Sequence, residues 1–299
     1  MVHHICYAES SQRLEYKYME GCIMQGKWNR IRTRIFLIFM VLSIIGGIAG
    51  LSICAYAKET ALPDNVVVVK NEKVMIRRLL SGMKRHQSSF AFYYPGIGRD
   101  FIRYRKQSAS YRDFMDKLAA KNGYITGIVS GTCIAIRGTN PKYVTFQFHY
   151  LTTKKQEKKI DRIARSIARK YRKGSRAARA KKAHDYLVRH MRYDDRYYSP
   201  YHAFTRGRGI CMSYALAYQR LMQEMNIPCI YIKGKNHAWN MVKINSVWYN
   251  VDVTWDDAGG GYRYFLKADK DFPGHKRPKS KWLSSLKKAR YSYNLGKIR

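Results

Sequence analysis

The apolar positions change their rhythm along the chain. From Ile35 to Cys54 they run unbroken (IFLIFMVLSIIGGIAGLSIC), uncharged and long enough to cross a bilayer as a helix. Beyond that stretch, short periodic segments take over. Asn65 to Lys70 (NVVVVK) is β-branched and predicts a strand. Val74, Met75, Leu79 and Met83 recur at helical spacing between Asn71 and His86, behind a cap at Asn71. A second helix is predicted from Ser110 to Lys121, with Tyr111, Phe114, Met115 and Leu118 on one side, and Asn122-Gly123 ends it. Two strands follow, Tyr124 to Arg137 and Lys142 to Leu151, joined by Gly138-Thr-Asn-Pro141. The second alternates cleanly through Val144, Phe146, Phe148 and Tyr150. This α/β region, 62–152, carries no reactive constellation and is read as supporting or docking structure.

Residues 153–177 are strongly basic, yet Ile160, Ile163, Ile167 and Tyr171 still trace an apolar stripe. The pattern predicts an amphipathic helix with a Lys/Arg face, able to lie on an anionic membrane or, more plainly, packed on its own domain. A helix from Ala178 to His190 leads into Met191-Arg-Tyr193-Asp194-Asp195. Gly207 and Gly209 then make a turn before a helical pattern carried by Ala215, Tyr218, Leu221, Met222 and Met225. A strand follows at Cys229 to Lys233, and two more flank a turn at Asn245-Ser246, the second running on through Trp255. With a loop of two or four residues, His237 stands opposite Thr254 and Asp252 opposite Trp239, so His237 and Asp252 share a face as diagonal neighbours. A three-residue loop breaks that parity. The tail 276–299 is again basic, with Trp282 and Leu286 as docking residues.

Charge sharpens this picture. The 299 residues hold 57 Lys and Arg against 20 Asp and Glu, a net +37. Such a field gathers anions, and nucleic acid, anionic lipid and anionic envelope polymer are all physically allowed. The apolar stretch helps to choose. Lys27, Arg30, Arg32 and Arg34 precede it, which keeps 1–34 cytoplasmic; the stretch before Lys27 is longer than a signal peptide needs, which suggests Met19 or Met24 as the start. Ala55-Tyr56-Ala57 suits signal-peptidase cleavage, so 35–57 is read as a transmembrane anchor or a signal peptide. Either places everything after Lys58 outside the cytoplasm, anchored or secreted. That location argues against nucleic acid and leaves an envelope polymer, the membrane surface, or a merely solvated basic face. Of six cysteines only Cys133, Cys211 and Cys229 follow the stretch, so this is no disulfide scaffold; Cys133 and Cys229 either pair or stay buried and free.

The chemistry gathers around Cys211. A cysteine at a helix N-terminus meets unpaired N–H groups and the helix dipole, which favour thiolate, and its own amide can face a developing oxyanion. His237 supplies an imidazole to pair with that thiolate, and Asp252 a carboxylate to fix its tautomer. Taken singly, the plainer readings are a small core residue, a structural histidine and a turn residue. Asp194-Asp195 and Asp256-Asp257 could act as paired carboxylates, but turn or capping roles are the preferred reading. A Cys/His/Asp metal site lacks a fourth clear ligand and any CxxC or HxxxH spacing. Gly259-Gly-Gly261 has no following Lys-Ser/Thr and is a flexible loop. No cofactor is expected.

Residues from Ala178 to Lys267 resemble the transglutaminase-like core, of the papain-like cysteine superfamily, in a bacterial membrane-anchored or secreted form. The matching blocks are Tyr193-Asp194, Gly209-Ile-Cys211 with Tyr214-Ala215, His237-Ala-Trp-Asn240, and Trp248-Tyr249 leading to Asp252-Val-Thr-Trp255-Asp256. The resemblance implies an α+β fold with the nucleophile's helix packed on an antiparallel sheet, over a catalytic core of 178–275. It implies Cys211 as nucleophile, His237 as base and Asp252 as orienting residue. The expected function is thiol-dependent acyl transfer on amide or peptide bonds of a protein or peptide substrate, as peptidase, amidase or protein-glutamine transglutaminase. The alternative is a non-catalytic binding module for an anionic envelope polymer or a protein partner. The short interval between Cys211 and His237 leaves no large insert and suggests an open cleft; an aromatic near Tyr201 is a candidate for the second oxyanion donor.

Overall fold

The computed structural model describes residues 3–7, 62–106 and 108–298, with 3–7 and 103–112 described by backbone alone. The Ile35–Cys54 stretch and the pattern at 55–57 lie outside the described residues, among which no helix is long and apolar enough to cross a membrane. The chain groups into two compact units, one drawn from residues up to 71, 89–101 and 131–148, the other from 72–88, 102–130 and 149–299.

The first unit is built on a five-stranded sheet of order β1-β4-β5-β3-β2, formed by β1 (His3–Tyr7), β2 (Val67–Val68), β3 (Ser89–Tyr93), β4 (Val129–Arg137) and β5 (Tyr143–Tyr150). β1 pairs antiparallel with β4, β3 antiparallel with β5, and β2 parallel with β3. The alternation in β5 buries Val144, Phe146 and Phe148. Phe90 meets Phe148 edge-on at 5.9 Å between ring centroids. The strand expected over 65–70 contracts to two residues, because only Val67 and Val68 pair with β3, against Phe92 and Tyr93.

The second unit takes α1 (Glu72–Lys84) and α3 (Ser108–Gly127); α2 (Ile97–Lys106) bridges the numbering between them. α3 breaks at Asn122 (φ −158°, ψ 84°), where the sequence predicts a stop. The chain then re-enters a helical turn, because Asn122 Oδ1 accepts from Ile125 N–H at 3.2 Å. The strand expected from Tyr124 therefore begins only at Val129.

The elements that carry the site follow: α4 (Lys154–Lys170), α5 (Arg176–His190), β6 (Arg192–Tyr193), α6 (Pro200–Arg206), β7 (Arg208–Gly209), α7 (Cys211–Glu224), β8 (Cys229–Lys233), β9 (Ala238–Ile244), β10 (Val247–Val251), α8 (Val253–Gly259) and α9 (Lys281–Ser285). α4 starts at a capping box, in which Thr153 Oγ1 accepts from Gln156 N–H while Thr153 N–H donates to Gln156 Oε1 at 2.8 Å. Ile160 and Ile167 are buried as the stripe predicts, and the Lys/Arg face is exposed. α7 lies on an antiparallel sheet of order β10-β9-β8, sharing a core that includes Tyr214, Tyr218, Leu221, Val242 and Val251. Leu283 of α9 is buried against Ile230, Ile232, Trp239 and Met241, with Trp282 and Leu286 packed beside it. Backbone bonds from Trp248 N–H to Lys287 and from Ala289 N–H to Trp248 stitch the tail to β10. Helices on an antiparallel sheet give the mixed α+β architecture expected of a transglutaminase-like fold.

Candidate functional site

Local backbone chemistry delivers Cys211 to a helix start. Gly207 ends α6 in the left-handed region (φ 61°), and a Cβ there would stand 2.3 Å from the His190 carbonyl oxygen. β6 then pairs parallel with β7, placing Tyr193 beside Gly209. A Cβ on Gly209 would meet the Ser213 Cβ at 2.3 Å, so this glycine lets the chain press onto the first turn of α7. Ile210 occupies the N-cap position with no side-chain cap bond, which leaves first-turn amides of α7 open to a ligand. Cys211, the first residue of that helix, is part-exposed.

The hairpin delivers His237 and Asp252. Val247 pairs with Ile244 and Val251 with Asn240, a register with a two-residue loop. Asn245 (φ 46°) and Ser246 (φ 70°) both take positive φ, the signature of a type I′ turn that matches strand twist. The expected parity holds: continued by one position, this register sets Asp252 against Trp239. The strand itself does not run on to Trp255, however. Asp252 leaves the ladder to cap α8, its Oδ1 accepting from Thr254 N–H at 3.0 Å and Trp255 N–H at 3.2 Å. Thr254 thus stands in a helix rather than opposite His237, because the carboxylate satisfies amides that would otherwise begin the helix unpaired.

The other carboxylate oxygen faces the imidazole. His237 Nε2–H donates to Asp252 Oδ2 at 2.6 Å, and the second hydrogen-bond partner of His237 is the Cys211 thiol, which leaves Nδ1 as the nitrogen facing sulfur. Burial pulls the His237 imidazolium down, but the bonds to Asp252 and Cys211 outweigh it and raise it to about 9. Burial likewise pushes the Asp252 carboxyl up, and the bonds from His237 and His275 more than reverse this, holding it below its usual range. Asp252 is 1% exposed and each of its oxygens accepts two hydrogen bonds.

His275 is the partner that the spacing does not reveal. Its Nε2 lies 2.8 Å from the same Asp252 Oδ2, and its Nδ1 2.9 Å from the Pro273 carbonyl oxygen. No periodicity marks it; it sits in the turn Phe272-Pro-Gly-His275, beyond the strands. His237, Asp252 and His275 place three donor atoms within 4.8 Å of one another, a cluster that a metal ion could use. The 2.6 and 2.8 Å separations are those of shared protons, whereas donors arranged tetrahedrally at ~2.1 Å from zinc stand roughly 3.4 Å apart. Cys211 and Asp252 also take opposite nitrogens of His237, so they do not converge on one ion.

Other candidates find different places. Tyr193, 60% exposed, and Tyr231 lie close enough to Cys211 to interact with it electrostatically, while Tyr201 lies under Lys159 at 5.7 Å. Asp194 accepts from Arg196 at 2.8 Å and Arg208 at 3.3 Å rather than serving a paired-carboxylate site. Asp256 and Asp257 are structural ties rather than turn or capping residues. Buried Asp256 accepts from Tyr264 N–H at 2.8 Å and from His184 Nε2–H at 3.0 Å. Asp257 accepts from Tyr214 Oη–H at 2.6 Å. Cys133 and Cys229 are not joined by a disulfide, and burial pushes the Cys229 thiol well up.

Residues 161–253 match the family described as the transglutaminase-like superfamily, a span holding Cys211, His237 and Asp252 but ending before His275. A solved structure described as "Crystal structure of a TGase" is 16% identical, with 50% of this chain and 46% of that chain covered and a TM-score of 0.32. The matched part of this chain thus spans about half the length of that protein. No curated protein matches the chain. Residues 161–253 therefore form a domain of the transglutaminase-like superfamily.

Proposed function

We propose that the chain is a thiol enzyme that transfers the acyl group of an amide or peptide bond, acting outside the cytoplasm. The observation that carries this reading is the placement of His237 between the Cys211 thiol and the buried Asp252 carboxylate. Cys211 Sγ, as thiolate, attacks the carbonyl carbon, with open first-turn amides of α7, that of Cys211 among them, available to the oxyanion. The C–N bond breaks as the imidazolium of His237 gives its proton to the leaving amine, and a thioester remains. Water, deprotonated by His237, attacks the thioester carbon; the C–S bond breaks and the carboxylic acid leaves. An amine in place of water gives a new amide. Hydrolysis is favoured, since water needs no second substrate site.

The exposed basic face of α4 supports an anionic envelope polymer or membrane surface as the setting, and the uncharged stretch Ile35–Cys54 supports an anchor or signal segment. Should that stretch span a membrane, residues 3–7 and 132–136 would stand on opposite sides, and the β1–β4 pairing would be confined to a chain that has not inserted.

The experiment is labelling of the whole protein by a thiol-directed electrophile, with site identification by mass spectrometry. Rapid labelling at Cys211, lost in His237→Ala, is the expected outcome. Slow labelling that ignores His237 would remove the enzyme and favour a binding module, in which salt-sensitive polymer binding survives Cys211→Ala.

A further inference from the structure

We infer that His275 is a positioning residue of the thiol site, a second imidazole that clamps Oδ2 of Asp252 so that the carboxylate meets His237 in one orientation. The inference rests on the thiol reading of Cys211. It lies outside the segment that carries the family match, which ends at residue 253.

The structure builds this contact deliberately. Gly274 has φ 79°, and a Cβ there would stand 2.7 Å from the Trp255 ring, so only glycine lets this turn press against α8. The His275 side chain is 1% exposed and lies against Phe272 (3.8 Å between ring centroids), Trp255 (4.2 Å) and Trp239 (4.9 Å). A polar ring in an aromatic cage is costly unless its nitrogens are bonded, and both are. His237 is 20% exposed at the mouth of the hairpin. Of the two imidazoles on Oδ2, His275 is therefore the fixed one.

The geometry explains why a second imidazole matters. The amides of Thr254 and Trp255 anchor only Oδ1. Without His275, Oδ2 would be held by His237 alone, the ring that must itself release and regain a proton. The His275 nitrogens face a carboxylate and a carbonyl, both acceptors, so both bonds form together only when both nitrogens carry hydrogen. The ionisable groups facing it are Asp252 at the start of α8, His237 before β9, and Tyr264. A carboxylate shared between two N–H donors orients His237 without monopolising its proton, which suits a ring that must next donate to a leaving amine.

Two substitutions separate positioning from packing, because they fail in opposite ways. His275→Phe keeps an aromatic ring in the cage and removes both hydrogen bonds. His275→Gln keeps an N–H donor toward Asp252 and gives up the ring. The rate of Cys211 alkylation by iodoacetamide is measured in the full chain over about pH 5 to 10, with melting temperature alongside. His275→Phe is expected to slow alkylation at neutral pH by roughly tenfold or more, the size of one pKa unit, and to move the pH profile in the same direction as Asp252→Asn. His275→Gln is expected to keep the profile while melting lower. A wild-type profile in His275→Phe, or a profile lost in His275→Gln but kept in His275→Phe, overturns the proposal. Should His275→Phe fail to fold, nitrogen-15 spectra of the wild-type imidazoles decide: two protonated nitrogens on His275 uphold the clamp and a bare Nε2 overturns it. A thiol indifferent to His237→Ala overturns both readings; one sensitive to His237 and Asp252 but blind to His275→Phe overturns this one alone.

Discussion

Replacing Asp252 by asparagine removes a charge and leaves the local fold in place. Asparagine caps helices as well as aspartate does, and its carbonyl oxygen can still accept from the Thr254 and Trp255 amides that now bond Oδ1. What changes is the side facing His237. The His237 imidazolium stands at about 9 against an ordinary 6.5, a difference of about 3 kcal/mol at ~1.4 kcal/mol per unit. Asp252 supplies the first of the favourable contributions and Cys211 the next, both working against burial. Loss of the carboxylate leaves only Cys211 to oppose burial, so His237 is expected to titrate about two units lower, on the order of a hundredfold in the ratio of imidazolium to imidazole. The amide adds a second defect. It presents N–H to Nε2, which forces the ring proton onto Nδ1, the nitrogen that must accept the thiol proton. The same reversal of tautomer in a serine protease triad costs about 10⁴ in turnover.

The assay is the pH profile of Cys211 alkylation, paired with titration of the His237 ring by NMR. The signs are fixed by the raised value. A group whose folded pKa lies above its unfolded one stabilises the protein fully below the unfolded value, and that stabilisation is lost as pH rises through the folded value. Wild type is therefore expected to lose stability between 6.5 and about 9 on this account, and to lose the imidazolium needed for the leaving amine over the same interval. Asp252→Asn should show little of that stability loss and should give up its imidazolium at the lower end of that window, about two units before wild type. If the variant alkylates within about threefold of wild type across pH 6 to 9, and His237 titrates unmoved, the reasoning from the hydrogen bond to the ion pair is wrong.

Further outcomes follow from other contacts. His184 bridges Asp256 at 3.0 Å and Asp185 at 3.2 Å, and bonds to these carboxylates outweigh burial and raise its imidazolium. His184→Leu should strand a buried charge and cost about 3–5 kcal/mol in chemical denaturation; a loss under ~1 kcal/mol would show that the bridge is not a buried ion pair. Gly209→Ala puts a methyl 2.3 Å from the Ser213 Cβ, so alkylation of Cys211 should fall even where the melting temperature changes little. Thr153→Ala removes the capping box of α4 and should lower stability by about 1 kcal/mol without touching the thiol. Prolonged chelation should leave the alkylation rate unchanged if His237, Asp252 and His275 share protons; a rate that rises as zinc is removed would give the cluster to a metal.

Much of this was legible in the sequence, and the reasons differ from element to element. α4 could be read twice over, from the stripe Ile160, Ile163, Ile167 and from the Thr153-to-Gln156 spacing of a capping box, a start signal that the stripe alone does not use. Asn122 was readable as a break but not as a restart, because the same side chain that ends one helix can cap the next. The short β2 misled for a different cause. Four consecutive valines carry strong β propensity, but propensity does not say how many residues find a partner strand, and here only two do.

The site divides along the same line, between what is local and what is not. His237 and Asp252 could be placed together because a two-residue turn fixes strand parity, and parity is a property of neighbouring residues. That argument survives even though the strand stops at Val251, since one further step of extended chain carries Asp252 to its place before the carboxylate captures the amides of α8. Cys211 was legible for a comparable reason: a glycine pair followed by a helical pattern locates a helix start. His275 obeys no such rule. It reaches Asp252 from 23 positions further along the chain, through a turn whose only sequence signal is Pro-Gly before a histidine. What selects it is tertiary: a left-handed glycine pressed on Trp255, and a carboxylate oxygen with one acceptor site left unfilled by His237. A buried carboxylate has more hydrogen-bond capacity than one imidazole can fill, so a sequence that shows a carboxylate and a single histidine has left a donor to be found. In this fold the search for that donor leads to the far side of the hairpin, and to the residue on which the orientation of the whole site is proposed to rest.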